Sequence, residues 1–324
     1  VLRFRVSLEG EIIRKLDVHC GYIHRGIEKM CEELTYPQTL ALTDRLDYLG
    51  ASQNRHALCM CIEKGLGVEV PERVQYIRTI MDELQRIDSH LLFFACLCMD
   101  MGALTAFFYG FRDREKVLDI LEQTTGGRLI QTYNTIGGVQ ADIHPDFVRK
   151  VKEFIAYMRP VLREYHEIFT GNVIAQERLK GTGVLTREDA ISFGATGGTG
   201  RAAGWACDVR KRHPYAVYGK VDFEEVLFTE GDCLARYMVR MREIEQSMHI
   251  IEQLIDNIPE GEYQLKMKPV IRIPEGSYYA AVEGSRGEFG VFIESRGDKF
   301  PYRMKFRSTG PVSYTHLTLP TSDL

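Results

Sequence analysis

Helical periodicity constrains this chain more than any other feature. From Pro37 onward, apolar residues recur three and four positions apart for roughly two hundred residues, while both flanks alternate with a period of two. Pro71 opens one such stripe, through Val74, Ile77, Met81, Leu84, Ile87 and Leu91. Residues 114–125 read as a short helix stopped by Gly126-Gly127. Pro145 opens another helix, with Val148, Val151, Ile155 and Met158 on one face and a kink expected at Pro160. The longest helix is expected after Asp232, carrying Leu234, Met238, Met241, Ile244, Met248, Ile251, Ile255 and Ile258, and ending at Pro259 and Gly261.

At the N-terminal flank Leu2, Phe4, Val6 and Leu8 alternate up to a turn at Glu9-Gly10-Glu11. At the other flank, residues 278–282, 289–293 and 302–306 read as a small antiparallel sheet, with Arg296-Gly297-Asp298 as a turn. The predicted class is α+β and mostly α, a long-helix bundle flanked by β elements. A single domain is expected over residues 1–310: a β-hairpin over 1–18, a helical core over 19–265 and a β region over 266–310. No internal repeat breaks the pattern.

The 324 residues carry 41 Lys and Arg against 45 Asp and Glu, so nothing in the charge balance points to a nucleic-acid partner. None of the eight cysteines forms CxxC. The two CxC pairs, 59/61 and 96/98, fall in predicted helices. Residues two apart on a helix point about 200° apart, so neither pair closes on one metal; free thiols in a reducing compartment are expected. Residues 91–111 are apolar enough to suggest a membrane span. Asp100 at the middle and Gly102 after it favour instead a buried helix that breaks near Gly102. No leader is visible, and the alternating start is expected to be a strand cut short.

Gly198-Thr199-Gly200-Arg201-Ala202-Ala203 fits a loose dinucleotide fingerprint, with Asp222 beyond it. That motif needs a preceding strand, and residues 190–193 read as helical, so the glycines are taken as a connection between helices. The histidines form neither HxxxH nor HExxH, and no GxSxG occurs. Two segments are chemically denser. One is His24-Arg25-Gly26-Ile27-Glu28-Lys29; the other is Thr43-Asp44-Arg45-Leu46-Asp47-Tyr48-Leu49-Gly50, continuing to Asn54-Arg55-His56-Ala57. At helical spacing Asp44, Asp47 and Tyr48 share a face, where carboxylates and a phenol would need hydrogen-bond partners. From these residues alone, a solvated helix face and a ligand site stand equal.

Together and in order, HRGIEK (24–29), TDRLDYLG (43–50), MDMGALTAFFYGFRDRE (99–115), IGGV (136–139), GDCLARY (231–237) and SRGEFG (285–290) resemble the D subunit of respiratory complex I, the quinone-site component of proton-pumping NADH:quinone oxidoreductase. The resemblance covers residues 1–310 and implies the fold of [NiFe]-hydrogenase large subunits. Those hydrogenases place a CxxC pair just after an acidic-Arg dipeptide. After Asp44-Arg45 the corresponding positions here are Asp47 and Gly50, so the resemblance implies no metal in this chain.

The resemblance further implies that Tyr48 donates a hydrogen bond to a carbonyl of a ubiquinone or menaquinone headgroup. Asp100, expected to be buried with a raised pKa, would relay protons. Arg25, with His24, would lie beside the [4Fe–4S] cluster of a small iron–sulfur partner, the B subunit. The other implied partners are the C and I subunits and the membrane-embedded H subunit. They would hold the chain peripherally on the cytoplasmic side of a bacterial inner membrane, as an oxidoreductase and translocase active only within its complex. Two alternatives are a hydrogenase-related large subunit and a catalytically silent scaffold.

Three departures qualify the resemblance. The family's second quinone ligand, a histidine on the first hairpin, would precede Val1. A histidine near the cluster is replaced, with Ile130 and Gln131 at its place, so weaker proton coupling and a low-potential quinone such as menaquinone are expected. Residues 311–324 do not resemble the family and are read as a non-native tail, and the segment between Ile258 and Tyr278 is short.

Overall fold

The computed structural model describes residues 3–10, 12–22 and 24–309. The chain enters through an antiparallel hairpin, β1 (Arg3–Glu9) and β2 (Ile12–His19), and passes through α1 (Ile27–Cys31) and α2 (Tyr36–Thr43) into the bundle. Three long helices follow, α3 (Ala51–Leu66), α4 (Glu72–Asp100) and α5 (Leu104–Thr125). Two strands of two residues, β3 (Asn134–Thr135) and β4 (Gly138–Val139), lead to α6 (Phe147–Tyr165) and a π-turn at His166–Thr170. Four short helices are α7 (Val173–Leu179), α8 (Arg187–Ser192), α9 (Gly197–Ala202) and α10 (Val209–Arg212). The long α11 (Cys233–Ile255) then precedes an antiparallel sheet of β5 (Gly276–Gly284), β6 (Gly287–Ser295) and β7 (Arg303–Arg307), in that spatial order. The mostly helical α+β class is the one the periodicity predicts.

The stripe opened by Pro71 becomes the axis of the structure. Its helix, α4, has 29 residues and runs roughly 44 Å. It packs against α5 on one side and α11 on another. Every residue from 77 to 91 is buried, so this helix is enclosed all round rather than amphipathic. Its apolar positions join Met241, Ile244, Met248 and Ile251 of α11 in one core. The longest helix is therefore α4 and not the one after Asp232. That later helix does start as its sequence suggests, with the Asp232 side chain accepting from the Ala235 N–H.

The apolar run 91–111 breaks where glycine permits it. Gly102 adopts φ 86°, and the Ala103 N–H reaches back to the Cys98 carbonyl at 2.8 Å. Among the described residues, no helix is long and apolar enough to cross a membrane. The helix expected over 114–125 begins ten residues earlier, because α5 starts directly after this break. Pro160 lies inside α6, which continues past it to Tyr165; the irregularity comes later, as the π-turn. The residues before the glycine-rich segment 197–202 form α8 and a turn, not a strand, which removes the dinucleotide reading. The non-native tail expected over 311–324 lies outside the described residues.

The α4–α5 crossing depends on Gly110. A Cβ there would lie 2.8 Å from the Ala95 Cβ and 3.3 Å from its Cα, so the backbones approach more closely than side chains allow. Gly110→Ala is expected to destabilise the protein by about 1–3 kcal/mol in chemical denaturation. Adding Ala95→Gly should recover part of that loss, because it removes the atom being struck; a double variant no more stable than Gly110→Ala would contradict the packing account.

Candidate functional site

The segment 43–50 is not a helix. After α2 ends at Thr43, the chain makes successive turns, with the Arg45 N–H bonded to the Leu42 carbonyl, Leu46 to Thr43 and Gly50 to Asp47. Asp44, Asp47 and Tyr48 therefore do not share a face. Asp44 is fully buried and accepts from Arg55 Nη1 at 2.9 Å; burial raises its pKa, and Arg55 opposes the rise. Asp47, 7% exposed, accepts from Arg286 Nη1 at 2.8 Å, Thr309 Oγ1 at 3.1 Å and the Leu49 N–H at 3.2 Å. Tyr48 turns the other way and is 59% exposed, and its hydroxyl has no hydrogen-bond partner among the described residues.

Tyr48 lines a cleft of about 740 Å³. Ser89, His90, Leu92, Phe93 and Cys96 of α4 form one wall and Arg240 of α11 another. The connection before α9, the β5–β6 turn with Ser285 and Arg286, and residues 307–309 close the rest. A larger hollow of about 940 Å³, beside His56, Arg78 and Tyr215, contains none of Tyr48, Asp100, His24 and Arg25, the site residues predicted from sequence. Chemistry rather than size therefore directs attention to the smaller one.

Asp100 departs from expectation. It is the last residue of α4 and exposed, because the helix runs out of the core just before the Gly102 break. It sits one turn beyond Cys96 on the same helix face and does not line the cleft. His24 and Arg25 are also exposed, between β2 and α1, and neither lines the cleft. Their segment is docked through Glu28, which accepts from Arg303 Nη2 and the Phe306 N–H at 3.0 Å each. Positions 47 and 50 face one another: a Cβ on Gly50 would lie 3.6 Å from Asp47 Oδ2. Among the described residues, no group of three or more His, Cys, Asp or Glu is placed to hold a metal ion.

The protein family described as the respiratory-chain NADH dehydrogenase 49 kDa subunit matches residues 100–272 and 265–321. The second stretch runs into the segment read from sequence as a non-native tail. The D subunit of NADH-quinone oxidoreductase from Geobacillus kaustophilus is 44% identical over 99% of this chain and 87% of its own. The chain belongs to the 49 kDa subunit family. A relative from Phocaeicola vulgatus, named as the C/D subunit of NADH-quinone oxidoreductase, is 87% identical over 96% of this chain. The chain spans about 60% of that relative's length. In three dimensions it superposes on a chain of the membrane-bound sulfane sulfur reductase, an archaeal respiratory membrane complex. The TM-score is 0.90 at 35% identity, covering 94% of this chain and 83% of the other.

What sequence reading missed in this 49 kDa-type chain is the polar layer behind the cleft. His90 lies 2.9 Å from Glu243 through Nε2, and Glu243 also pairs with Arg201. Arg201 Nη1 donates to Glu283 at 2.7 Å, whose other oxygen accepts from the Val209 N–H at 3.0 Å. Arg210 bridges Asp208 (2.6 Å) and Glu83 (3.0 Å), and Glu83 also accepts from Arg86, Ser247 and Tyr218. These groups are all buried. Burial alone would raise Glu83, but Arg86 and Arg210 bring it down to about 2. Burial lowers His90 to about 4 against the pull of Glu243, so a neutral imidazole faces the cleft at neutral pH. The available signal was Glu83-Leu84-Gln85-Arg86-Ile87-Asp88-Ser89-His90, where charges interleave with the stripe of a helix too apolar to be a surface one.

Glu283 carries the testable consequence. Burial, with Asp208 adding to it and Arg201 opposing, raises its pKa from 4.5 to about 7. An acid with a raised native pKa binds its proton in the folded state across a window where the unfolded chain has released it. Its contribution to stability is complete below about pH 4.5 and is lost as pH rises through about 7. Asp88, also raised to about 7 mainly by burial, acts in the same sense. The unfolding free energy is expected to fall over this window, and Glu283→Gln to flatten the slope; an unchanged slope in the variant would refute the assignment.

Proposed function

We propose that this chain is the quinone-site component of a proton-translocating NADH:quinone oxidoreductase, and that the cleft beside Tyr48 receives the quinone headgroup. The observation that carries this reading is an unpartnered phenol at a cleft with Leu92 and Phe93 in its wall, in a chain of the 49 kDa family. The volume, about 740 Å³, lies within the range of small-molecule sites. Leu92 and Phe93 would flank a flat ring, and the Tyr48 hydroxyl would donate to one carbonyl oxygen. Two-electron reduction to quinol places negative charge on the carbonyl oxygens and takes up two protons. A phenol is a neutral hydrogen-bond donor suited to that developing charge.

In the same reading, Asp100 continues the Ser89, Phe93, Cys96 face of α4 outward, where an exposed carboxylate could take protons from outside the cleft. Electrons would arrive from a [4Fe–4S] cluster of a small iron–sulfur partner, the B subunit, near Arg25 and His24. The N-terminal hairpin supports assembly with partners: Phe4, Val6, Leu8, Ile12, Ile13 and Leu16 remain exposed on a two-stranded unit that is marginal alone. Contacts with the C, I and H subunits would hold the chain peripherally at the cytoplasmic face of a bacterial inner membrane. A low-potential quinone such as menaquinone fits Ile130 and Gln131 standing where the family resemblance implies a cluster-side histidine. A nickel hydrogenase is disfavoured by the same geometry: the two facing positions hold glycine and a carboxylate engaged by Arg286 and Thr309.

Tyr48→Phe in the full-length protein within its complex is expected to lower quinone reductase activity by about tenfold or more, with assembly unchanged on native gels. Unaltered turnover and unaltered quinone KM would instead support a structural scaffold.

A further inference from the structure

Three arginines line the cleft, Arg240, Arg286 and Arg307, and no Asp or Glu of the described residues does. Two of the three are answered by the protein. Arg286 pairs with Asp47 at 2.8 Å, and Arg307 donates to the carbonyls of Glu288 and Gly194 and lies 3.9 Å from the Glu288 carboxylate. Arg240 differs. Its Nη1 donates to the Arg236 carbonyl at 2.7 Å, and its guanidinium carbon lies 4.5 Å from the centre of the Phe93 ring. Its other N–H groups have no partner among the described residues, and it makes no ion pair there. Glu243, one turn along α11, directs its two oxygens to Arg201 and His90. Burial lowers the pKa of Arg240 to about 10, which leaves it charged at neutral pH. Glu243 is the nearby opposite charge, but it is already shared by Arg201 and His90 and makes no ion pair with Arg240, so this part-buried cation is under-compensated unless an occupant supplies charge.

We propose that Arg240, stacked on Phe93, is a seat for a flat anion, so that the cleft binds the ionised form of a hydroxylated quinone ring in preference to a neutral ring of the same shape. This rests on the quinone reading of the cleft and adds the charge state its wall selects. In an ionised 2-hydroxyquinone, the oxide and the adjacent carbonyl present two acceptors along one ring edge. A guanidinium offers paired N–H groups in a plane, the geometry that grips two neighbouring oxygens. A lysine would keep the charge but not the fork. Phe93 holds the guanidinium on its ring face and makes the wall flat.

Cys96, in the same wall, provides a local reporter, and exposed Cys20, outside the cleft, a reference. The assay is protection of Cys96 from N-ethylmaleimide, read by mass spectrometry on the full-length protein in its membrane complex. The two probes are 2-hydroxy-3-methyl-1,4-naphthoquinone, an anion at neutral pH, and neutral 2,3-dimethyl-1,4-naphthoquinone; both are blocked against addition of thiols. The wild type is expected to be half-protected at a concentration of the anion at least about tenfold lower than of the neutral ring, with the preference vanishing when the medium is acidified enough to protonate the ligand. Arg240→Gln should weaken protection by the anion about tenfold and leave the neutral probe within about twofold, with Arg240→Lys between. Equal protection by both probes in the wild type, or equal weakening of both by Arg240→Gln, overturns the seat while leaving the quinone reading intact. If neither probe protects wild-type Cys96, the quinone reading of the cleft fails and the inference fails with it.

Discussion

The structure depends on pairing charge inside a helix whose middle has no solvent face. Along residues 77–91, α4 buries Arg78, Asp82, Glu83, Arg86, Asp88 and His90 beside its aliphatic stripe. Each would be strongly destabilising alone, and each has a partner from another element or turn: Glu63 for Arg78, His56 for Asp82, Arg210 and Arg86 for Glu83, Arg114 for Asp88, Glu243 for His90. Buried pairs of this kind add little net stability, but breaking one strands its partner. They fix which neighbours α4 accepts and in which register, a specificity that interchangeable aliphatic contacts with α5 and α11 do not provide.

The cleft is the edge of this arrangement. Ser89, His90, Phe93 and Cys96 reach it because they lie on the flank of α4 where the enclosing layer thins. The imidazole of His90 is presented neutral because burial and neighbouring arginines outweigh the pull of Glu243. Tyr48 is presented because the turns after α2 send the adjacent carboxylate inward and the phenol outward. The chemistry of the site is thus a product of backbone turns and of helix depth, not of a single motif.

Much of this was legible in the sequence. The stripes locate α4 and α11, Gly102 marks a helix break, and the alternating flanks give both sets of strands. The motifs around Tyr48 lead to the 49 kDa family to which the chain belongs. Local spacing could not separate a helix from consecutive turns over 43–50, because both bring residues three apart close together. It also placed Asp100 inside an apolar run without fixing where the packing ends. The ion network was hidden for a different reason: Glu243 and Glu283 lie 42 and 82 residues from Arg201 in sequence, and only the fold makes them neighbours.

Asp47 ties the turn beside Tyr48 to Arg286, 239 residues downstream, and to Thr309, 262 residues downstream. These long-range clasps belong to the slowest class of contacts to form, since most of the intervening polypeptide must be collapsed before the two partners can meet. The rim of the cavity therefore depends on the distal strands: until Arg286 and Thr309 are in place, the Asp47 carboxylate has only the Leu49 N–H to hold it.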